Sequence, residues 1–142
     1  MILLDTNVIS EVLRAQPSPN VRNWLDAQRA DELFLCTPVL AELHYGAELL
    51  PTGARRTKLR QLIERLEGAF AERVLLFDAA AARENGKFVA RRDRLGRATG
   101  SMDGLIAGIA MAHGATIATR DIHGFADAGV DLIDPFNFTP KR

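Results

Sequence analysis

Four carboxylates stand where the flanking chain is apolar. Asp5 closes the run Met1-Ile2-Leu3-Leu4, and Glu42 splits Pro38-Val39-Leu40-Ala41 from Leu43. Asp103 precedes the apolar stretch Leu105 to Ala112, and Asp121 follows Ala115 to Arg120. An ionised carboxylate in apolar surroundings is costly unless it is paired or binds a cation. Only Asp121 has a basic neighbour, Arg120. Acids brought together repel one another until a cation compensates. A hard divalent ion, Mg2+ or Mn2+, suits an all-oxygen donor set. Such an ion can polarise a phosphoryl oxygen and activate water near neutral pH. Thr6, Asn7 and Thr119 are small polar residues beside these acids, suited to orienting a ligand or a water.

The surrounding pattern predicts how the acids are carried. Residues 1–4 read as a buried strand. Thr6 to Arg14 and Ser18 to about Arg29 read as helices, the first stopped before Pro17. Leu33 to Cys36 form a second strand. Thr37 as N-cap and Pro38 at the first helical position start a helix to about Leu50. Leu59, Leu62, Ile63 and Leu66 recur at the spacing of an amphipathic helix. Val74 to Phe77 make a third strand, and Ala79 to about Leu95 is helical. Ser101 is expected to cap a helix through His113 that Gly114 ends. Thr116 to Thr119 and Asp131 to Ile133 are the last strands. Short apolar strands alternating with helices indicate an α/β fold of three layers, α/β/α, with a parallel, roughly five-stranded sheet. Ligands of open parallel sheets bind beyond the carboxyl ends of the strands, where strand order reverses. That topology carries Asp5, Glu42, Asp103 and Asp121 toward one edge. Local roles stay open for three of them: Asp5 as a helix cap, Asp103 as a helix-dipole partner, Asp121 as a turn residue.

With 142 residues, no repeat and no linker, residues 1–142 read as one domain with its own core. Cys36 is the only cysteine, so no internal disulfide forms, and its apolar neighbours predict a buried, inert thiol. The N-terminal run lacks a basic leader region, and no apolar run approaches the ~20 residues that span a bilayer. These features predict a cytoplasmic protein. His44, His113 and His123 are scattered and, with one cysteine, offer no zinc cluster. Nucleotide-binding glycine motifs and a nucleophile elbow are missing.

Net charge is zero, but its distribution is uneven. Residues 55–97 hold 12 of the 18 Lys and Arg and 6 of the 18 Asp and Glu, a local excess of six positive charges. Arg83, Lys87, Arg91 and Arg94 recur at helical spacing as one stripe, and Arg55, Arg56, Lys58 and Arg60 form a second cluster. Either could hold a polyanion's phosphates, or both could be solvated helix faces. Tyr45, close to Glu42 in sequence, is the preferred aromatic for base stacking, with core packing and antitoxin contact as equal alternatives.

Asp5-Thr6-Asn7 after a strand, Val39-Leu40-Ala41-Glu42-Leu43, Ser101-Met102-Asp103 opening an apolar helix, and Thr119-Arg120-Asp121 after a strand together resemble the PIN-domain nucleases. Length and motif order are similar to the VapC-type toxins of bacterial toxin–antitoxin pairs, especially the FitB-like branch. The resemblance implies a magnesium-dependent endoribonuclease that is a homodimer and is inhibited by a cognate antitoxin. It places metal ligands at Asp5 and Asp103, with Glu42 as the second acid of the site. Many relatives carry Asn where Asp121 stands and an acid three residues later, where this chain has Gly124. The expected reaction is attack of water on an RNA phosphodiester, leaving 5′-phosphate and 3′-hydroxyl ends. Two other classes compete. A receiver-like module that binds Mg2+ without catalysis needs a basic residue at the pocket, and Arg120 is the one available. An aspartyl-nucleophile phosphatase usually wants an acid where Asn7 stands.

Overall fold

The structure, a computed structural model, describes residues 1–141. Its strands are β1 (Ile2–Leu4), β2 (Leu33–Cys36), β3 (Val74–Leu75), β4 (Thr116–Ala118) and β5 (Leu132–Ile133). Its helices are α1 (Thr6–Val12), α2 (Pro19–Asp26), α3 (Thr37–Leu49), α4 (Ala54–Ala69), α5 (Ala79–Arg94), α6 (Ser101–His113) and α7 (Ile122–Phe125). Strand order is β3-β2-β1-β4-β5, and every pairing is parallel. Leu3 pairs with both Phe34 and Ile117, which fixes β1 as the central strand. The chain lays β1, β2 and β3 outward in one direction, then returns through α5 and α6 to add β4 and β5 on the other side. Strand order therefore reverses between β1 and β4, which opens a crevice beyond their carboxyl ends.

The core is mostly aliphatic, with Trp24, Phe88 and Phe125 buried in it, and sits on both faces of the sheet. Leu3, Leu35 and Ile117 are completely buried, as are Val8, Ile63, Ile106 and Ile109 from the covering helices. Parallel strands buried on both faces must be apolar throughout, which is why β1 and β2 read as unbroken apolar runs. Cys36 lies inside this core, and burial pushes its thiol up to about 12. No helix among the described residues is long and apolar enough to cross a membrane.

Helix α6 packs most closely on α5. A Cβ at Gly108 would lie 2.5 Å from the Ala81 carbonyl oxygen, and one at Gly104 would lie 2.9 Å from the Asn85 side chain. Glycine at both positions lets the two backbones approach. Gly114 ends α6 in the left-handed conformation, φ 61°, as its sequence position predicts.

Several boundaries differ from the sequence expectation. Cys36, not Thr37, is the capping position of α3. The Thr37 hydroxyl instead accepts the Phe77 N–H at 3.3 Å, tying the end of β3 to the start of α3. Ser101 is the first residue of α6 rather than its cap; Gly100 takes that position without a side-chain bond. β3 stops at Leu75, and Leu76 is exposed. α7 has no sequence signal beyond its cap, because four residues are too few to show periodicity.

Candidate active site

The crevice between β1 and β4 gathers the acids that the sequence singled out. Asp5 follows β1 directly, is 4% exposed, and caps α1 by accepting the Thr6 N–H at 2.7 Å through Oδ1. Its Oδ2 accepts the Thr119 hydroxyl at 2.7 Å and the Asn7 side-chain amide at 3.0 Å. The cap and the site are thus the same carboxylate. Burial pushes its pKa up; the bonds from Thr119 and Thr6 oppose that, and Glu42 and Asp121 add repulsion.

Glu42 projects from the second turn of α3 and is half-buried. The Thr6 hydroxyl donates to its Oε1 at 2.8 Å. Asp103 lies in the first turn of α6, and its pKa is raised to about 6. Burial is the largest cause, followed by repulsion from Asp5, Asp121 and Glu42. Asp121, exposed, begins α7 and accepts the Gly124 N–H at 2.9 Å through Oδ1. Asp5 and Asp103 thus both feel the charges of Glu42 and Asp121 at the carboxyl edge of the sheet. Among the described residues no three acidic, histidine or cysteine side chains close into a ready-made metal cage. The site is an open acidic bowl.

Thr6, Asn7 and Thr119 each hydrogen-bond to one of these acids. Thr119 is completely buried, and its hydroxyl oxygen also accepts the Asp121 N–H at 2.9 Å. Asn7 spans the crevice, with its amide on Asp5 and its carbonyl oxygen accepting the Arg120 N–H at 3.1 Å. That occupied amide stands where the aspartyl-phosphatase chemistry wants an acid. Arg120 turns away: its guanidinium stacks on Phe136 at 3.6 Å. The pocket thus lacks the cation that a receiver-like module requires. His44 pairs with Glu67, and His113 and His123 are exposed.

Model matching identifies the PIN domain over residues 2–130, nearly the whole chain. The chain belongs to the PIN domain family. The VapC ribonuclease Y4jK of Sinorhizobium fredii is 44% identical over 140 residues, covering 96% of this chain and 98% of that protein. The toxin FitB of Neisseria gonorrhoeae is 38% identical over 138 residues, covering 96% and 99%. Among solved structures, FitAB bound to an IR36 DNA fragment superposes with a TM-score of 0.91 at 36% identity, covering all of both chains.

In this PIN domain the donors fit a hard divalent cation. They are carboxylate oxygens held apart, and their mutual repulsion is the strain that a cation would relieve. An ion that keeps several of its waters needs contact with only one or two carboxylates, so an open bowl suffices.

Two further features surround the bowl. A groove of about 770 Å³ between α1, α3 and α4 has Glu42 in its wall and an apolar floor that includes Val12, Leu13, Leu43, Leu59 and Leu62. Arg55 and Lys58 stand at its rim, whereas Arg56 and Arg60 turn to Glu48 on α3. The second basic cluster is thereby divided between two faces. Arg83, Lys87, Arg91 and Arg94 are all exposed on α5. Lys87 pairs with Glu84 at 2.9 Å, and Arg91 donates to the Asp127 carbonyl.

Sequence reasoning missed Arg92 and Asp127. Arg92 shares the buried face of α5 with Ala81 and Phe88. An arginine in that register was the available signal.

Proposed function

We propose that this PIN domain is a divalent-metal-dependent endoribonuclease, the toxin of a toxin–antitoxin pair, acting as a single domain in the cytoplasm. The convergence of Asp5, Glu42, Asp103 and Asp121 at the β1/β4 crevice carries the proposal. A relative 44% identical is named a ribonuclease and one 38% identical a toxin.

Asp5 and Asp103 would hold Mg2+ or Mn2+, with Asp121 supporting through its second oxygen. A bound divalent cation supplies positive charge to the phosphate and lowers the pKa of water. Asp5 contributes a carboxylate whose position Thr6, Asn7 and Thr119 fix before substrate arrives. Glu42, steadied by Thr6, orients the attacking water and draws on its proton. The water oxygen bonds to phosphorus, the bond to the 3′ oxygen breaks, and that oxygen takes a proton from solvent and leaves as a hydroxyl. The products carry 5′-phosphate and 3′-hydroxyl ends. Exposed Arg83, Lys87, Arg91 and Arg94 supply phosphate contacts without base specificity.

The antitoxin is assigned to the α1–α3–α4 groove. Its apolar floor accepts apolar side chains, and Glu42 in its wall would receive an inserted Arg or Lys that blocks the bowl. Tyr45 and Leu49, each 66% exposed and one turn apart on α3, supply apolar surface for the homodimer implied by the family.

The deciding experiment is cleavage of end-labelled RNA with Mg2+ or Mn2+ against EDTA, alongside Asp103→Asn. Metal-dependent cutting that the variant loses supports the assignment. Cyclic 2′,3′-phosphate ends would overturn the mechanism.

A further inference from the structure

Among the described residues no hydrogen bond reaches the Asp103 carboxylate, which burial and neighbouring charges perturb. Its place depends on the backbone that delivers it, residues 95–100 between α5 and α6. Arg92 holds that segment. It is 6% exposed, and every guanidinium nitrogen is engaged. Nε donates to Thr99 Oγ1 at 2.8 Å, and one terminal nitrogen donates to the Ala98 carbonyl at 2.9 Å. The other donates to the His123 carbonyl at 3.2 Å and to Asp127 Oδ2 at 3.1 Å. The first two acceptors lead into Asp103. The last two belong to α7, which Asp121 begins, and to the turn after it. Arg97 adds bonds to both Asp127 oxygens at 2.7 and 2.8 Å.

Burying a guanidinium is costly. A buried arginine with four directed bonds is suited to fixing geometry, since its planar fork reaches acceptors that a lysine cannot. From this geometry we infer that Arg92 is a positioning residue for the metal site: with Asp127 it clamps the segment carrying Asp103 to the segment carrying Asp121. The inference rests on the metallonuclease reading above. Every hydrogen bond of Arg92 goes to the chain itself. Its mechanical route is Thr99, whose methyl lies 3.6 Å from where a Cβ on Gly104, the residue after Asp103, would sit; its charge also favours the ionised Asp103, and Arg92→Lys keeps that charge while losing the fork.

The test is Mn2+ affinity, measured by titration calorimetry on the folded full chain well below its melting temperature. Wild type is compared with Arg92→Met, Arg92→Lys, Thr99→Val and, as the reference for loss of a ligand, Asp103→Asn. Removing groups that orient metal ligands typically weakens binding by about 10–100-fold. That loss is expected for Arg92→Met and Arg92→Lys alike, with a smaller loss for Thr99→Val. RNA affinity in EDTA should stay unchanged. Thr99→Val decides the matter if the arginine variants do not fold. Wild-type affinity in the folded variants, or full rescue by Arg92→Lys, would overturn the positioning role. Loss in Asp103→Asn would still leave the metallonuclease reading standing. A wild type that takes up no Mn2+ overturns both.

Discussion

Thr119 donates its hydroxyl hydrogen to Asp5 Oδ2 across 2.7 Å, joining the ends of the two strands between which the order of the sheet reverses. The same oxygen receives the Asp121 N–H, so one hydroxyl ties two of the four acids together. Thr119→Val keeps the shape and removes the bond, leaving a buried carboxylate oxygen and an N–H short of a partner. The expected cost is about 1–3 kcal/mol of stability and about 10–100-fold in Mn2+ affinity. Thr119→Ser should recover most of both, as read by denaturant titration and calorimetry.

Metal binding should compete with protons near pH 6. The Asp103 carboxyl is raised from 3.8 to about 6, so below that range a proton occupies the group that a cation needs. Apparent Mn2+ affinity is expected to rise steeply from pH 5 to pH 7 and then level off. The stability effect has the opposite sign. A raised carboxyl pKa stabilises the fold below its unfolded value, and that stabilisation is lost as pH climbs through about 6. Metal-free protein should therefore lose stability between about pH 4 and 6, and Asp103→Asn should flatten this part of the curve. Chemical denaturation at several pH values, with and without Mn2+, separates the two effects.

Asp121 and residue 124 compete for one volume. A Cβ at Gly124 would lie 2.2 Å from Asp121 Oδ2 in the present rotamer. Gly124→Asp alone should displace the Asp121 side chain from its cap and cost about 1 kcal/mol. Asp121→Asn with Gly124→Asp, the arrangement that the family resemblance associates with many relatives, should retain more activity than the single variants predict by addition. A double-mutant cycle reads this coupling, expected at about 0.5–3 kcal/mol. Strict additivity would show that the two positions act independently.

The basic face of α5 should divide by function. Arg83 and Arg94 are exposed, with no carboxylate within ion-pair distance among the described residues, whereas Arg91 is also bonded to the Asp127 carbonyl. Arg83→Ala and Arg94→Ala should each weaken RNA binding and make the salt slope shallower by about 0.7 per lost phosphate contact, with stability unchanged. Arg91→Ala should lower stability as well. An unaltered salt slope in all three would assign the stripe to solvated surface.

Much of this was legible in the chain because parallel-sheet topology is written in coarse terms. Apolar runs ending in Asp5 and preceding Asp121 gave both the strands and the edge at which their acids meet. What stayed hidden was long-range side-chain choice. Thr37 could have capped its helix, yet its hydroxyl bonds to Phe77, forty residues on. Arg56 and Arg60 looked equivalent to Arg55 and Lys58, but Glu48 on α3 takes the first pair. Arg92 looked like one more member of a basic helix, and only the fold shows it buried among backbone carbonyls. Helical spacing assigns a residue to a face. It does not say what that face meets.

The glycine-lined crossing of α5 and α6 has a mechanical consequence. With Gly108 against the Ala81 carbonyl and Gly104 against Asn85, a side chain at either glycine would force the helices apart. One member of this hairpin displays the exposed cations Arg83, Lys87, Arg91 and Arg94, and the other carries Asp103 in its first turn. Any side chain that wedged this crossing open would therefore move the first turn of α6, and Asp103 with it.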